Sequence, residues 1–100
     1  MAVGYNTKQL PVLTLWKNTD TRAQGYVTGI EPGTSYAYST KYQRPLGLVP
    51  KIQPGETKTF DLTYRLLRNG EEVKQALAQV DKIQAGRPTE LREQPLVKLP

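Results

Sequence analysis

From Thr57 to Leu66 the side chains alternate in kind. Phe60, Leu62, Tyr64 and Leu66 fall on one side, and Thr59, Asp61, Thr63 and Arg65 on the other. A period of two is the signature of a β-strand with one face packed and one face wet. The same reading applies near the start of the chain. Between Gln9 and Lys17, Leu10, Val12, Thr14 and Trp16 share one face, and Pro11, Leu13 and Leu15 the other. Both faces are largely apolar, so this strand is expected to be covered on both sides. A polar cluster, Asn18-Thr19-Asp20-Thr21, turns the chain. A second strand is expected from Gly25 to Glu31, with Tyr26, Thr28 and Ile30 on one face. Pro32-Gly33 ends it, because proline cannot donate to a ladder. A further strand is expected between Leu46 and Gln53, limited by Pro45 and Pro50, with a type II turn at Pro54-Gly55.

The last third changes period. Val73, Ala76, Leu77, Val80 and Ile83 recur at spacings of three and four, which gives a helix one apolar stripe. Asn69 is placed to cap it, with Glu72 three residues on in capping-box position. Lys82 lies in the last turn, and Gly86 with Pro88 stops the helix near residue 85. Thr89 to Pro100 has no period and is expected to be extended over another surface or frayed. The chain thus reads as antiparallel strands over 1–68, a helix over 69–86 and a tail over 87–100, mainly β in class.

Composition removes many chemistries. The chain of 100 residues has no cysteine and no histidine. Disulfides, thiolate metal sites, cysteine nucleophiles and a Ser-His-Asp triad are therefore excluded within it. No metal-ligand spacing or glycine-rich phosphate loop occurs, and no cofactor is implied. The net charge of +5 is spread over both halves without a Lys/Arg cluster, so a mildly basic solvated surface is expected and no nucleic-acid partner. No apolar run reaches the length of a membrane span, and the first residues have no signal-peptide pattern. With cysteine absent, the cytoplasm is the expected compartment.

Acid–base chemistry is left to carboxylates, tyrosines and lysines. Most carboxylates sit in ordinary places: Glu71, Glu72, Asp81, Glu90 and Glu93 on the helix surface or tail, Asp61 on a wet strand face, Glu56 at a turn. Glu31 stands apart. It ends a strand and precedes Pro32-Gly33-Thr34 and a tyrosine-rich loop of eleven residues, 34–44. Loops of that length are often binding loops. Two readings of Glu31 are open: an exposed strand-end carboxylate, or a partly desolvated general base. Tyr36, Tyr38 and Tyr42 either stack on sugar faces or pack at a loop edge. Trp16 is either core or a ligand platform.

Three blocks carry a resemblance: Gln9-Leu10-Pro11-Val12-Leu13-Thr14-Leu15-Trp16-Lys17-Asn18; Gly25-Tyr26-Val27-Thr28-Gly29-Ile30-Glu31-Pro32-Gly33-Thr34; and Ile52-Gln53-Pro54-Gly55-Glu56-Thr57-Lys58-Thr59-Phe60. In order and spacing they resemble the C-terminal part of aldose-1-epimerase-like proteins, closest to a poorly characterised bacterial branch, over residues 5–67. The helix also fits the end of that branch. The resemblance implies strands from a large antiparallel β-sandwich, several times longer than this chain. It implies a sugar substrate and interconversion of anomers, with Glu31 as the base that takes the anomeric proton. Trp16, Thr34, Tyr36 and Tyr38 are the implied sugar contacts. The family's acid is a histidine upstream, and this chain has none. The chain therefore reads as a fragment inactive alone, completed by upstream polypeptide of the same protein or by self-association. The alternative is a non-catalytic carbohydrate-binding or assembly module.

Overall fold

The two strands expected before and after the turn at residues 18–21 pair as a hairpin, and the ladder fixes which side chains can meet. In the computed structural model, which describes residues 1–94, β1 spans Ala2–Tyr5, β2 Val12–Lys17 and β3 Thr28–Gly33. A short helix α1 follows at Thr40–Gln43, then β4 at Leu62–Arg65 and the long helix α2 at Gly70–Gln84. Single 3-10 turns occur at Arg22–Gln24 and Arg44–Leu46. β2 and β3 pair antiparallel, from Val12 opposite Gly33 to Lys17 opposite Thr28. The ladder continues past Lys17 by one bond, from the Asn18 N–H to the Val27 carbonyl at 3.3 Å. Asn18 then shapes the connection, its Oδ1 accepting from the Asp20 N–H at 2.7 Å. This is the side-chain-to-backbone bond for which Asn is favoured in turns. Pro32-Gly33 does not end the strand as expected: both residues lie inside β3, which a two-stranded sheet tolerates because, among the described residues, neither strand has a partner on its outer side.

β1 and β4 form the second two-stranded sheet. The chain divides into two compact units: Val3–Thr63, and the segment from Tyr64 onward with Met1 and Ala2. The first unit contains the β2–β3 hairpin, the tyrosine loop and a turn that buries Leu10. That turn is held from residue 6, whose carbonyl accepts from Gln9 and Leu10 N–H groups. Gln9 reaches across 52 residues of sequence: its Nε2 donates to the Asp61 carboxylate at 2.7 Å and its Oε1 accepts from the Asp61 N–H at 2.9 Å. A side-chain amide there does the work of a peptide group, donating and accepting at one residue.

The second unit is organised by α2. Asn69 Oδ1 accepts from the Glu72 N–H at 2.9 Å, as a capping residue should. The reciprocal bond is displaced by one residue. The Glu72 carboxylate accepts from the backbone N–H of Arg68 rather than that of Asn69, and also from the Arg68 guanidinium at 2.7 Å. At the other end Ala85 takes the left-handed conformation, φ 52°, followed by Gly86 at φ 71°. Arg87 then turns back, its guanidinium donating to the carbonyls of Ile83 and Gln84. These bonds supply partners to carbonyls that the helix end leaves open.

Three further expectations are corrected. No strand forms between Leu46 and Gln53: Pro45 enters a 3-10 turn, and Pro50 and Pro54 deny the next residues a regular ladder. The strand expected over 57–66 is paired only at Leu62–Arg65, as long as its four-residue partner β1. The faces expected to be covered are open among the described residues: Leu13, Leu15 and Trp16 on the hairpin, and Phe60, Leu62, Tyr64 and Leu66 around β4, are all exposed. The result is antiparallel strands in two small sheets with one long helix, a mixture of α and β with less strand than the alternation suggests. Of the tail, residues 95–100 lie outside the described part, and Leu91 is exposed. No helix among the described residues is long and apolar enough to cross a membrane.

Candidate functional site

In an antiparallel ladder, alternate residues of each strand share a face, and diagonal neighbours can touch. The register sets Thr14 opposite Glu31 and Trp16 opposite Gly29, so these four share one face of the hairpin. Gly29 is the key to it. A Cβ built there would collide with Oε1 of Glu31, lie 3.2 Å from its Cδ and 3.3 Å from Cβ of Trp16. The Glu31 side chain therefore lies back along its own strand, over the bare Cα of Gly29, on the face that Trp16 shares. Trp16 is 50% exposed and Glu31 is exposed rather than partly desolvated. Strand-end position does not bury this carboxylate, because among the described residues the sheet is only two strands wide and Trp16 stays exposed. Chemically the face carries an acceptor-only group and a half-exposed tryptophan. The first can accept hydrogen bonds or a proton, and the second can lie against C–H surfaces.

The tyrosine loop is ordered by one buried side chain. Gln43, at the end of α1, is 1% exposed. Its Oε1 accepts from the Tyr36 N–H at 3.1 Å, and its Nε2 donates to the carbonyls of Tyr36 at 2.9 Å and Tyr38 at 2.7 Å. One amide thus serves three backbone groups, of which the Tyr36 carbonyl also accepts from the Tyr38 N–H. The rings of Tyr36, Tyr38 and Tyr42 remain exposed. The Lys41 ammonium lies 6.0 Å from the Tyr42 ring centre, at the outer limit of a cation–π contact.

Thr34 goes elsewhere. It lines an open groove of about 500 Å³ with Lys8, Pro11, Ile52, Lys58 and Phe60. Neither Glu31 nor Trp16, Tyr36 or Tyr38 lines that groove. The structure thus joins Glu31 with Trp16, holds Tyr36 and Tyr38 on a loop braced by Gln43, and places Thr34 in a separate depression. Two residues that matter here were not singled out from the sequence. Gly29 carried a signal, since glycine inside a strand often marks a close approach. Gln43 carried none, being one polar residue in a polar loop.

Residues 1–66 match the sequence family described as "Domain of unknown function (DUF4432)". The matched part is nearly the same as that which resembles the aldose-1-epimerase-like proteins, and it contains Glu31, Gly29, Trp16 and Gln43. The family's description assigns no activity. No curated protein and no solved structure matches the chain. Since the match covers about two thirds of the sequence, including both strands of the hairpin and the whole tyrosine loop, the chain belongs to the DUF4432 family.

Proposed function

We propose that this chain is the carbohydrate-binding, base-bearing portion of a mutarotase-like β-sandwich. The observation that carries the reading is the seat of Glu31 over Gly29, on the face that the half-exposed Trp16 shares. Sugars present hydroxyl edges and C–H faces together, and a carboxylate and an indole on one face meet both. In the proposed reaction Glu31 takes the proton of the anomeric hydroxyl. The bond from the anomeric carbon to the ring oxygen breaks as the carbonyl forms, and an acid protonates the ring oxygen. Rotation and reversal give the other anomer. The chain has no histidine, and a second copy of it has none either, so a histidine acid would come from other polypeptide, and a second copy could offer only a lysine or tyrosine. The open apolar faces of Leu13, Leu15 and Phe60 support an origin in a larger sandwich. The lack of cysteine supports a reducing, cytoplasmic compartment. A second reading, a binding module without catalysis, is favoured by the exposure of Glu31.

Trp16 is the only tryptophan, so its fluorescence reports on its own face. Titration of the chain with aldoses is expected to change that emission saturably. Glu31→Gln should keep the affinity within a few-fold, because the amide retains an acceptor oxygen and the stacking surface. Glu56→Gln, at the turn where the Glu56 carboxylate accepts from the Gln53 N–H, should leave binding unchanged. No response to any aldose up to the solubility limit would remove the carbohydrate reading.

A further inference from the structure

We infer that α2 is a self-recognition element, pairing antiparallel with α2 of a second copy of this chain. This goes beyond the carbohydrate reading and holds whatever the role of Glu31.

The helix has an inner and an outer face. Glu72 and Gln79 bond to Arg68 and Arg65, and Ala76, between them along the helix, is buried. Beside this inner face runs a second stripe, Val73, Leu77 and Val80, which are 41%, 59% and 56% exposed. Steps of four and then three are those of a coiled-coil seam, with Val73 and Val80 at d positions and Leu77 at a. The residues immediately after the d positions are Lys74 and Asp81, both at e and both exposed. Neither forms an ion pair among the described residues.

Antiparallel helices bring e positions against e positions of the other helix. Setting Leu77 against the second copy's Val80 places Lys74 opposite the second copy's Asp81. The two-fold axis then repeats both relations, with Val80 against Leu77 and Asp81 against Lys74. One self-complementary patch thus yields two interlocked apolar layers and two ion pairs, as an isologous interface requires. Parallel pairing would set e against g, where Ala76 and Ile83 stand, and leave both charges unmatched. Opposed helix macrodipoles add to the antiparallel preference. The exposed apolar strand faces carry no comparable charge pattern. The seam is short, so the association is weak and salt-sensitive.

Sedimentation velocity of the full chain, from dilute to millimolar concentration at low salt, is the test. A monomer–dimer equilibrium is expected. Lys74→Glu should weaken it by about tenfold, since two attractive contacts become two repulsive ones. Asp81→Lys should do the same, and the double reversal K74E/D81K should regain the original association. Leu77→Gln should abolish dimerisation with the far-ultraviolet circular dichroism unchanged. Single reversals without effect, or a double variant that fails to recover, would overturn the pairing. A monomer at every concentration would also overturn it and assign the stripe to a different polypeptide.

Discussion

Glu31 and Gly29 are two residues apart yet compete for one volume, and this makes the site testable at the level of a methyl group. Gly29→Ala places a Cβ where the Glu31 carboxylate rests. The carboxylate must move, so aldose binding should fall while the hairpin persists. Adding Gly29→Ala to Glu31→Ala should cost little further binding, because the collision is gone. A double-mutant cycle of aldose titrations measures this coupling. Additive losses would mean that Gly29 matters for the strand alone. Gln43→Leu keeps bulk but strands the N–H of Tyr36 and the carbonyl of Tyr38, and leaves the Tyr36 carbonyl only its bond from the Tyr38 N–H. It should destabilise the chain by about 2 kcal/mol or more and speed exchange of the Tyr36 amide. A loss below about 0.5 kcal/mol would show that solvent serves those groups equally well. The strand positions of Glu31 and Trp16 were legible because alternation put each on a strand. That they share a face needed the register: only the pairing of Trp16 with Gly29 and of Thr14 with Glu31 sets them on the same side of the hairpin.

The helix is the element the sequence defines best, since its stripe, cap and stop are local signals. Asn69→Ala should cost about 1 kcal/mol, read from denaturant melts, because the Glu72 N–H loses its acceptor. Glu72 also makes this end acid-sensitive. Hydrogen bonds from the Arg68 guanidinium, then its backbone N–H, with the charge of Arg65 behind them, hold the Glu72 carboxyl below its ordinary pKa. A carboxyl with a depressed folded pKa binds its proton more readily in the unfolded chain. Its contribution is therefore present above the ordinary glutamate value of about 4.3 and is lost as pH falls through the folded value. Glu72→Gln should show a shallower loss of stability between neutral and acid pH than the parent, and equal slopes would place the acid sensitivity elsewhere. Strands were harder to bound, because a strand exists only with its partner. β4 uses four residues of an alternating ten since β1 offers only Ala2–Tyr5. β1 itself went unread, being short and interrupted by Gly4. Residues 46–53 are apolar enough for a strand, but their prolines decide against it.

At the scale of the whole molecule the described residues bury little: Leu10 and Gln43 in the unit Val3–Thr63, and Ala76 in the unit built on α2. Conformational entropy opposes folding at every residue, so a chain with so small an interior gains by covering its open faces. The sequence shows those faces as alternation and stripe but not what lies against them. The proposed ring opening is incomplete in the same way. Ring opening needs a base at the anomeric hydroxyl and an acid at the ring oxygen, and the chain offers Glu31 without a histidine. Missing one member of such a pair typically costs a factor on the order of 10²–10⁴. Polarimetry on freshly dissolved glucose and galactose should therefore show no rate above buffer. Imidazole can stand in for the absent acid. The rate it adds should exceed its own solution catalysis with the parent chain, and should equal it with Glu31→Gln, which can bind the sugar but cannot take the proton. Equal rescue of both would leave Glu31 as a binding carboxylate. A protein-dependent rate without imidazole would instead identify a lysine or tyrosine of this chain as the acid.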